Sequence, residues 1–203
     1  MSLRSIACRS LGVCAVTAAF VGGAPLTASA ATSGTPNTTC NAPLLTKAYH
    51  EFLDENWYAP LPGVSWDSFS SPGWTLSGGA KLIGATLADG THGTVLDLPS
   101  GASAISPQMC VSNSYPTFRG EIVDVKGSTG VAASVAYLGA KGWGPAQSFG
   151  TLKGSATAWT IPGALSIKPS TVSGWQYGRF TFVAGGSSSE YELSNLYADP
   201  RML

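Results

Sequence analysis

The sequence predicts an all-β domain, an antiparallel sandwich or barrel preceded by one short helix. After residue 57, brief β-type runs are separated by Gly, Pro and Ser, as in sheets joined by tight turns. The 203 residues include 25 Gly and 13 Pro, yet 44% are hydrophobic and 6 are Trp. That composition indicates a folded domain rather than a disordered chain. Strands do not alternate with helices along the sequence, so the sequence gives no indication of a parallel sheet.

Each element follows from local spacing. Apolar residues at helical intervals predict a short helix within 44–53. The predicted strands are short and closely spaced, which is typical of sandwiches. They lie near 73–76, 81–84, 94–98, 102–106, 109–112, 117–125, 131–138, 156–161, 176–183 and 190–197.

Two runs alternate most clearly between apolar and polar residues. In the run 177–183, Phe180 and Phe182 fall on one face and Arg179 falls on the other. The run 190–197 alternates Tyr and Leu with two Glu in the same way. One dry and one wet face is what an antiparallel sheet on a core requires.

The N-terminus has the features of a secretory signal peptide over residues 1–30. Arg4 and Arg9 supply positive charge, an apolar run covers 11–21, and an A-x-A cleavage site ends at Ala30. The apolar run is short for a bilayer core of about 30 Å, which favours cleavage over the alternative of an uncleaved anchor. We therefore expect an extracellular protein, cleaved near Ala30.

The expected mature chain is a flexible leader, 31–42, and a single β-sandwich domain, 43–203, with no later segment apolar enough to span a membrane. It retains Cys40 and Cys110. In an oxidising compartment two cysteines most simply form one disulfide. The alternative is a zinc or thiolate site, but no CxxC pair or His-x-His cluster accompanies the cysteines.

The charge balance argues against nucleic acid as a partner. Lys and Arg number 11, as do Asp and Glu, so the formal net charge is zero. A protein without excess positive charge has little attraction to a phosphate backbone or an anionic lipid surface. Loss of Arg4 and Arg9 on cleavage would leave a slight acidic excess, so we expect neutral polar partners.

Motifs for catalysis, metals and cofactors are absent from the sequence. There is no G-x-S-x-G elbow, P-loop or dinucleotide fingerprint. His50-Glu51 begins like a zinc-binding helix, but Asp54 stands where a second His is needed. His92 lies in a predicted turn. We therefore expect no catalytic residue, no metal and no cofactor.

Four charged residues in the predicted strands are candidate ligand-binding residues. Glu121 and Glu192 lie within strands, where two carboxylates can meet across a sheet face. The alternative is that they form ordinary cross-strand ion pairs with Arg119 and Arg179, each contributing about 0.2–1 kcal/mol.

Aromatic residues in turn-rich segments are the other candidates for binding. Sugar rings stack on flat aromatic faces while their hydroxyls find polar partners. Trp143 lies in a Gly/Pro-rich loop, and Trp57 and Tyr58 precede Ala59-Pro60. A structural role, closing the end of a sandwich, remains the alternative for Trp143.

Several of these segments resemble a family of secreted, single-domain actinobacterial proteins, which is itself similar to jelly-roll domains of the carbohydrate-binding, galactose-binding-like kind. The resemblance implies a β-sandwich and no particular activity. Where relatives tend to carry paired aspartates before the last strand end, this chain has Ser194-Asn195, which argues against a structural cation there. The matching segments are 73–80, 98–107, 109–111, 115–119 and 196–201.

These observations favour a secreted, non-catalytic module that binds a glycan or another envelope component. Two alternatives stay open. One is a small secreted glycan-active enzyme that uses carboxylates on a sheet face. The other is a structural or adhesive surface protein.

Overall fold

The structure is a computed structural model, and it describes most of the predicted domain. The predicted signal peptide lies outside the described residues, as does the predicted leader apart from Cys40. Among the described residues, no helix is long and apolar enough to cross a membrane. The described residues are 40, 44–65, 68–112, 117–167 and 175–201.

The fold is all-β, as predicted, with one short helical turn near its start. That turn is a single 3₁₀ helix, His50–Phe52, so the regular helix expected within 44–53 does not form. The described strands are β1 (Trp57–Pro60), β2 (Thr75–Ser77), β3 (Lys81–Thr86), β4 (His92–Pro99), β5 (Ser103–Ile105), β6 (Met109–Ser112), β7 (Thr117–Lys126), β8 (Val131–Gly139), β9 (Gly142–Trp143), β10 (Gln147–Leu152), β11 (Leu165–Ser166), β12 (Trp175–Ala184) and β13 (Glu190–Arg201).

The strands form two antiparallel sheets, which we call the first and second sheets. The first has the order β11-β7-β13-β4-β3, with β1 also paired to β13. The second has the order β10-β8-β12-β5-β2, with β6 paired to β12 and β9 paired to β8. Strands distant in sequence are neighbours in both sheets. The two sheets together make a β-sandwich, which is the predicted fold class.

The core between the sheets is aromatic at its centre. Phe118 of the first sheet lies 5.5 Å from Phe180 and 5.6 Å from Phe182 of the second, measured between ring centroids. All three rings are fully buried. Trp74 is buried as well and stacks on Phe182. The predicted alternation in β12 is therefore confirmed, since Arg179 lies on the opposite face.

Two local predictions are wrong. The segment 156–161 is not a strand and pairs only through an isolated bridge between Thr160 and Ile122. His92 begins β4 instead of lying in a turn. His92 pairs with Thr86, so the β3–β4 ladder extends to the edge of the turn that the sequence predicts.

The predicted disulfide is present and joins Cys40 to Cys110 of β6, with 5.6 Å between the Cα atoms. It closes a loop of 70 residues. Closing a loop of this length with a disulfide stabilises the folded state by about 4 kcal/mol in the chain-entropy model. The bridge therefore ties the start of the described chain to the second sheet.

Candidate functional site

The outer face of the second sheet carries an aromatic and cationic pair. β8 and β9 form a hairpin in which Leu138 opposes Trp143. Gly142 takes φ of +101°, a left-handed backbone that glycine adopts without strain, and this turn folds Trp143 back over the sheet. The Arg179 guanidinium lies over the Trp143 ring, 4.6 Å from its centroid. We call this surface the Trp143 face.

Strand β12 extends the Trp143 face with two further aromatic side chains. Trp175 and Tyr177 lie on the same face of β12 as Arg179, and all three alternate with residues directed inward. Each is half-buried, as is Trp143. Partly exposed rings offer both a flat apolar surface and access for a ligand.

Hydroxyl groups also lie on the outer face of the second sheet. The Oγ atoms of Ser77 and Ser103 lie 2.7 Å apart in one hydrogen bond. Ser134 and Thr181 oppose each other across β8 and β12. Such groups donate and accept neutral hydrogen bonds, which is the chemistry that sugar hydroxyls require.

The two sheets differ sharply in charge. Among the described strands of the second sheet there is no Asp or Glu, and Arg179 is the one charged residue. The described strands of the first sheet hold six carboxylate residues, namely Asp97, Glu121, Asp124, Glu190, Glu192 and Asp199. In the described part of the chain, the acidic strand residues are therefore confined to one of the two sheets.

The outer face of the first sheet is covered near its β1 edge. Asp54, next to the 3₁₀ turn, forms an ion pair with Arg119 of β7. The Tyr58 hydroxyl donates to Asp54 Oδ2 at 2.5 Å, and Arg119 donates to the Tyr58 oxygen at 3.0 Å. Although burial raises it, the pKa of Asp54 is lowered overall by the hydrogen bonds from Tyr58 and Asn56 and by the Arg119 charge.

A buried polar network continues beneath this ion pair. Glu121 is fully buried, and its Oε1 accepts a hydrogen bond from Asn195 Nδ2 at 2.8 Å. The buried Tyr49 hydroxyl donates to the Asn195 carbonyl at 2.5 Å. Burial, and then the neighbouring Glu121 charge, raise the pKa of Tyr49. The network fixes the 44–58 segment to the sheet.

Asn195 explains the departure from the aspartate pair noted in the sequence. Its backbone has φ of +46°, a left-handed conformation that Asn tolerates better than most residues, at an irregularity in β13. Its amide supplies the donor that Glu121 accepts. An aspartate here would set a second carboxylate against a buried one.

Asp97 and Glu192 form a carboxylate pair on the first sheet. They are cross-strand partners on β4 and β13. Asp97 is 2% exposed, and Lys81 Nζ lies 3.4 Å from its Oδ2. Burial, followed by the negative charges of Asp97 and Glu190, raises the pKa of Glu192.

The structure divides the predicted site residues among three places. Trp143 and Arg179 meet on the Trp143 face. Glu192 pairs across strands with Asp97. The other four, Trp57, Tyr58, Arg119 and Glu121, belong to the covered edge of the first sheet, where Tyr58 and Glu121 are buried and Lys47 lies over the Trp57 ring.

The expected ion pairs take different partners. Arg119 pairs with Asp54 instead of a cross-strand glutamate. Arg179 lies in the other sheet from Glu121 and Glu192, so it pairs with neither. The sequence alone does not show which strands share a sheet. The expected pairings assumed that the strands of Arg179, Glu121 and Glu192 lie in the same sheet.

The sequence analysis missed important residues in each place. Tyr177 lies in a strand whose alternation places it beside Arg179, and that parity was the available clue. Asp97 and Asn195 act through partners on other strands, which one sequence does not reveal. Within the described part of the chain, no three His, Cys, Asp or Glu residues are grouped so as to hold a metal ion.

Comparisons with known proteins give structural likenesses alone. No family model matches the chain, and no curated protein matches it. A cellulose-binding domain of a Cellulomonas fimi β-1,4-glucanase is similar in fold, with TM-score 0.45 and 14% identity, covering 71% of this chain and 99% of that one. A xylan-binding domain from Paenibacillus barcinonensis gives 0.42 and 14%, covering 64% and 87%.

A third similar structure is a family 11 carbohydrate-binding module from a Clostridium thermocellum cellulase. Its TM-score is 0.42 at 12% identity, over 72% of this chain and 96% of that one. All three TM-scores are below 0.5.

Replacing Asn195 with Asp should weaken the buried network at neutral pH. The variant Asn195→Asp removes the donor to Glu121 and adds a like charge, so we expect a loss of about 1–3 kcal/mol in unfolding free energy at pH 7. The loss should be smaller at pH 4 than at pH 7, because protonation of either carboxyl removes the repulsion and restores a hydrogen-bond donor. Urea unfolding at both pH values measures it.

The control for this variant is Asn195→Gly, which keeps the left-handed backbone and removes the amide. At pH 7 it should lose less stability than Asn195→Asp, because it removes the donor without adding a second negative charge. If Asn195→Asp unfolds at the wild-type urea concentration at pH 7, the hydrogen bond to Glu121 has no role in stability.

Replacing Glu192 with Gln should raise stability at neutral pH. Because the folded state raises the pKa of Glu192, ionisation opposes folding once the pH passes the unfolded value, near 4.5. Glu192→Gln should therefore stabilise the fold by about 0.2–1 kcal/mol at pH 7 and have little effect below pH ~4.

Thermal unfolding across this pH range tests the Glu192 prediction. Glu55→Gln is the matched control, because the Lys47 hydrogen bond and charge lower the pKa of Glu55 and its substitution should not stabilise. A Glu192→Gln variant that is less stable than the wild type at pH 7 contradicts the account of this carboxylate pair.

Proposed function

We propose that this chain is a secreted, non-catalytic module that binds a glycan on the Trp143 face. One observation carries the proposal: Trp143 is held by Arg179 on a partly exposed sheet face that also presents Tyr177 and whose described strands hold no carboxylate. Flat rings and neutral hydroxyls side by side match the two surfaces of a sugar, its C–H face and its hydroxyl edge.

The geometry of the face suits an extended ligand. Leu138 on β8 opposes Trp143, and Tyr177 on β12 opposes Cys110 on β6. Neighbouring strands lie about 4.8 Å apart, so the row from Trp143 to Tyr177 spans roughly two strand spacings, or about 10 Å. That span matches about two sugar rings.

Export supports an extracellular glycan as the partner. Residues 1–30 have the pattern of a signal peptide, and the Cys40–Cys110 disulfide is of a kind that persists in oxidising compartments. A glycan or another component of a cell envelope is the kind of partner met there.

A glycan-active enzyme is the second candidate, and one observation favours it. Glu192 has a raised pKa beside Asp97, and a general acid next to a second carboxylate is the arrangement of many glycosidases. The other carboxylate proposed from the sequence, Glu121, is buried against Asn195 and belongs to the structural network. Release of reducing sugar that Glu192→Gln abolishes would support this candidate over the first.

Binding should depend on the aromatic residues of the Trp143 face. Trp143→Ala and Tyr177→Ala should each weaken retention on a recognised polysaccharide about tenfold, which corresponds to about 1.4 kcal/mol of lost stacking. Affinity electrophoresis of the purified protein against a panel of neutral and acidic polysaccharides measures this.

Trp57→Ala is the matched control, since Trp57 lies in the first sheet beside Lys47. We expect it to bind like the wild type. Loss of binding in Trp57→Ala with full binding in Trp143→Ala would place the site at the β1 edge. An absence of retention on every polysaccharide would overturn the proposed function.

A further inference from the structure

We propose that Arg179 makes the Trp143 face selective for a glycan with an acidic group, a carboxylate or a sulfate ester. This inference rests on the proposed function and names the class of ligand. It differs from the expectation based on composition, which favoured neutral partners because the net charge is zero.

The Arg179 guanidinium is held in place by the Trp143 ring. With the guanidinium carbon 4.6 Å from the ring centroid, one face of the cation is occupied by the aromatic surface. The in-plane N–H groups are not used by that contact. Guanidinium N–H groups form a fork that matches two oxygens of one carboxylate or sulfate group.

The protein supplies no anion for this cation among the described residues. The ion pairs recorded in the described part of the chain involve Lys47, Lys81 and Arg119, and none involves Arg179. Its cross-strand partner is Ala136, and the side chains on either side of it along β12 are Tyr177 and Thr181. The local surface is therefore positive.

Half-burial makes an anionic partner favourable. Arg179 is partly removed from water, so its interaction with an opposite charge is less screened than at a fully exposed site. With all six strand carboxylates on the first sheet, an acidic ligand on the second sheet meets no adjacent negative strand residue. The partition of charge thus favours one anionic group in one position.

A single cation also limits the ligand. Nucleic acids and highly sulfated polymers gain affinity from several phosphate or sulfate contacts, each adding to the salt dependence. The described strands of the second sheet offer one such contact. We therefore expect recognition of an acidic sugar within an otherwise stacked and hydrogen-bonded ligand, with weak salt dependence.

The test compares matched ligands on the unmodified protein. Oligogalacturonate, the same oligosaccharide with methyl-esterified carboxyls, and a sulfated galactan oligosaccharide are titrated by calorimetry. We expect the ester to bind at least tenfold more weakly than the acid. Stronger binding of the sulfated oligosaccharide, lost on substitution of Arg179, would support the inference and assign the anion as sulfate.

Two variants assign the effect to the guanidinium. Arg179→Gln should lower the affinity for the anionic ligand at least tenfold more than it lowers the affinity for the ester, so that the two ligands then bind alike. Arg179→Lys keeps the charge without the fork and should recover part of the preference. Circular dichroism confirms that each variant is folded.

The failures of the two proposals are distinguishable. If the wild-type protein binds the ester or a neutral oligosaccharide as well as both acidic ones, selectivity through Arg179 is overturned while glycan binding stands. A preference for the acid that survives in Arg179→Gln also overturns it. If no oligosaccharide, acidic or neutral, binds at all, the proposed function itself is overturned.

Discussion

The contact of Phe118 with Phe180 and Phe182 sets the arrangement of the whole domain. These buried rings, 5.5 and 5.6 Å apart between centroids, join the first sheet to the second. Because each strand turns one side into this core, it must turn the other side outward. The fold therefore presents two outer faces, and the residues that alternate with the core decide what each does. On the first sheet these include Glu121, Glu192 and Arg119, and on the second they are aromatic, hydroxyl and guanidinium groups.

The first sheet uses its polar residues to hold the chain together. Glu121 is fully buried and takes a donor from Asn195, while Tyr49 donates to the backbone of the same residue. A buried carboxylate is stabilised only when hydrogen bonds replace water, so these partners are required by its position.

The local sequence pattern predicted the fold class but did not predict which residues pair across strands. The alternation of Phe180 and Phe182 with Arg179 follows from a two-residue period, and the structure confirms it. The pairing of Asn195 with Glu121 spans 74 residues and depends on which strands are neighbours, which no single sequence shows. Trp143 was expected in a loop, yet a two-residue turn places it on a strand. Net charge is limited in the same way, since a sum over the chain does not show how charges divide between the two sheets.

The central claim is that ligand contact is confined to the outer face of the second sheet, and amide chemical-shift mapping tests it most directly. In a titration of the labelled protein with an oligosaccharide that it retains, the largest shifts should fall on Leu138, Trp143, Tyr177 and Arg179. The amides of Glu121 and Asn195 should stay unchanged. Shifts concentrated at Asp97 and Glu192, or at Trp57 and Arg119, would contradict the account and place the site on the first sheet.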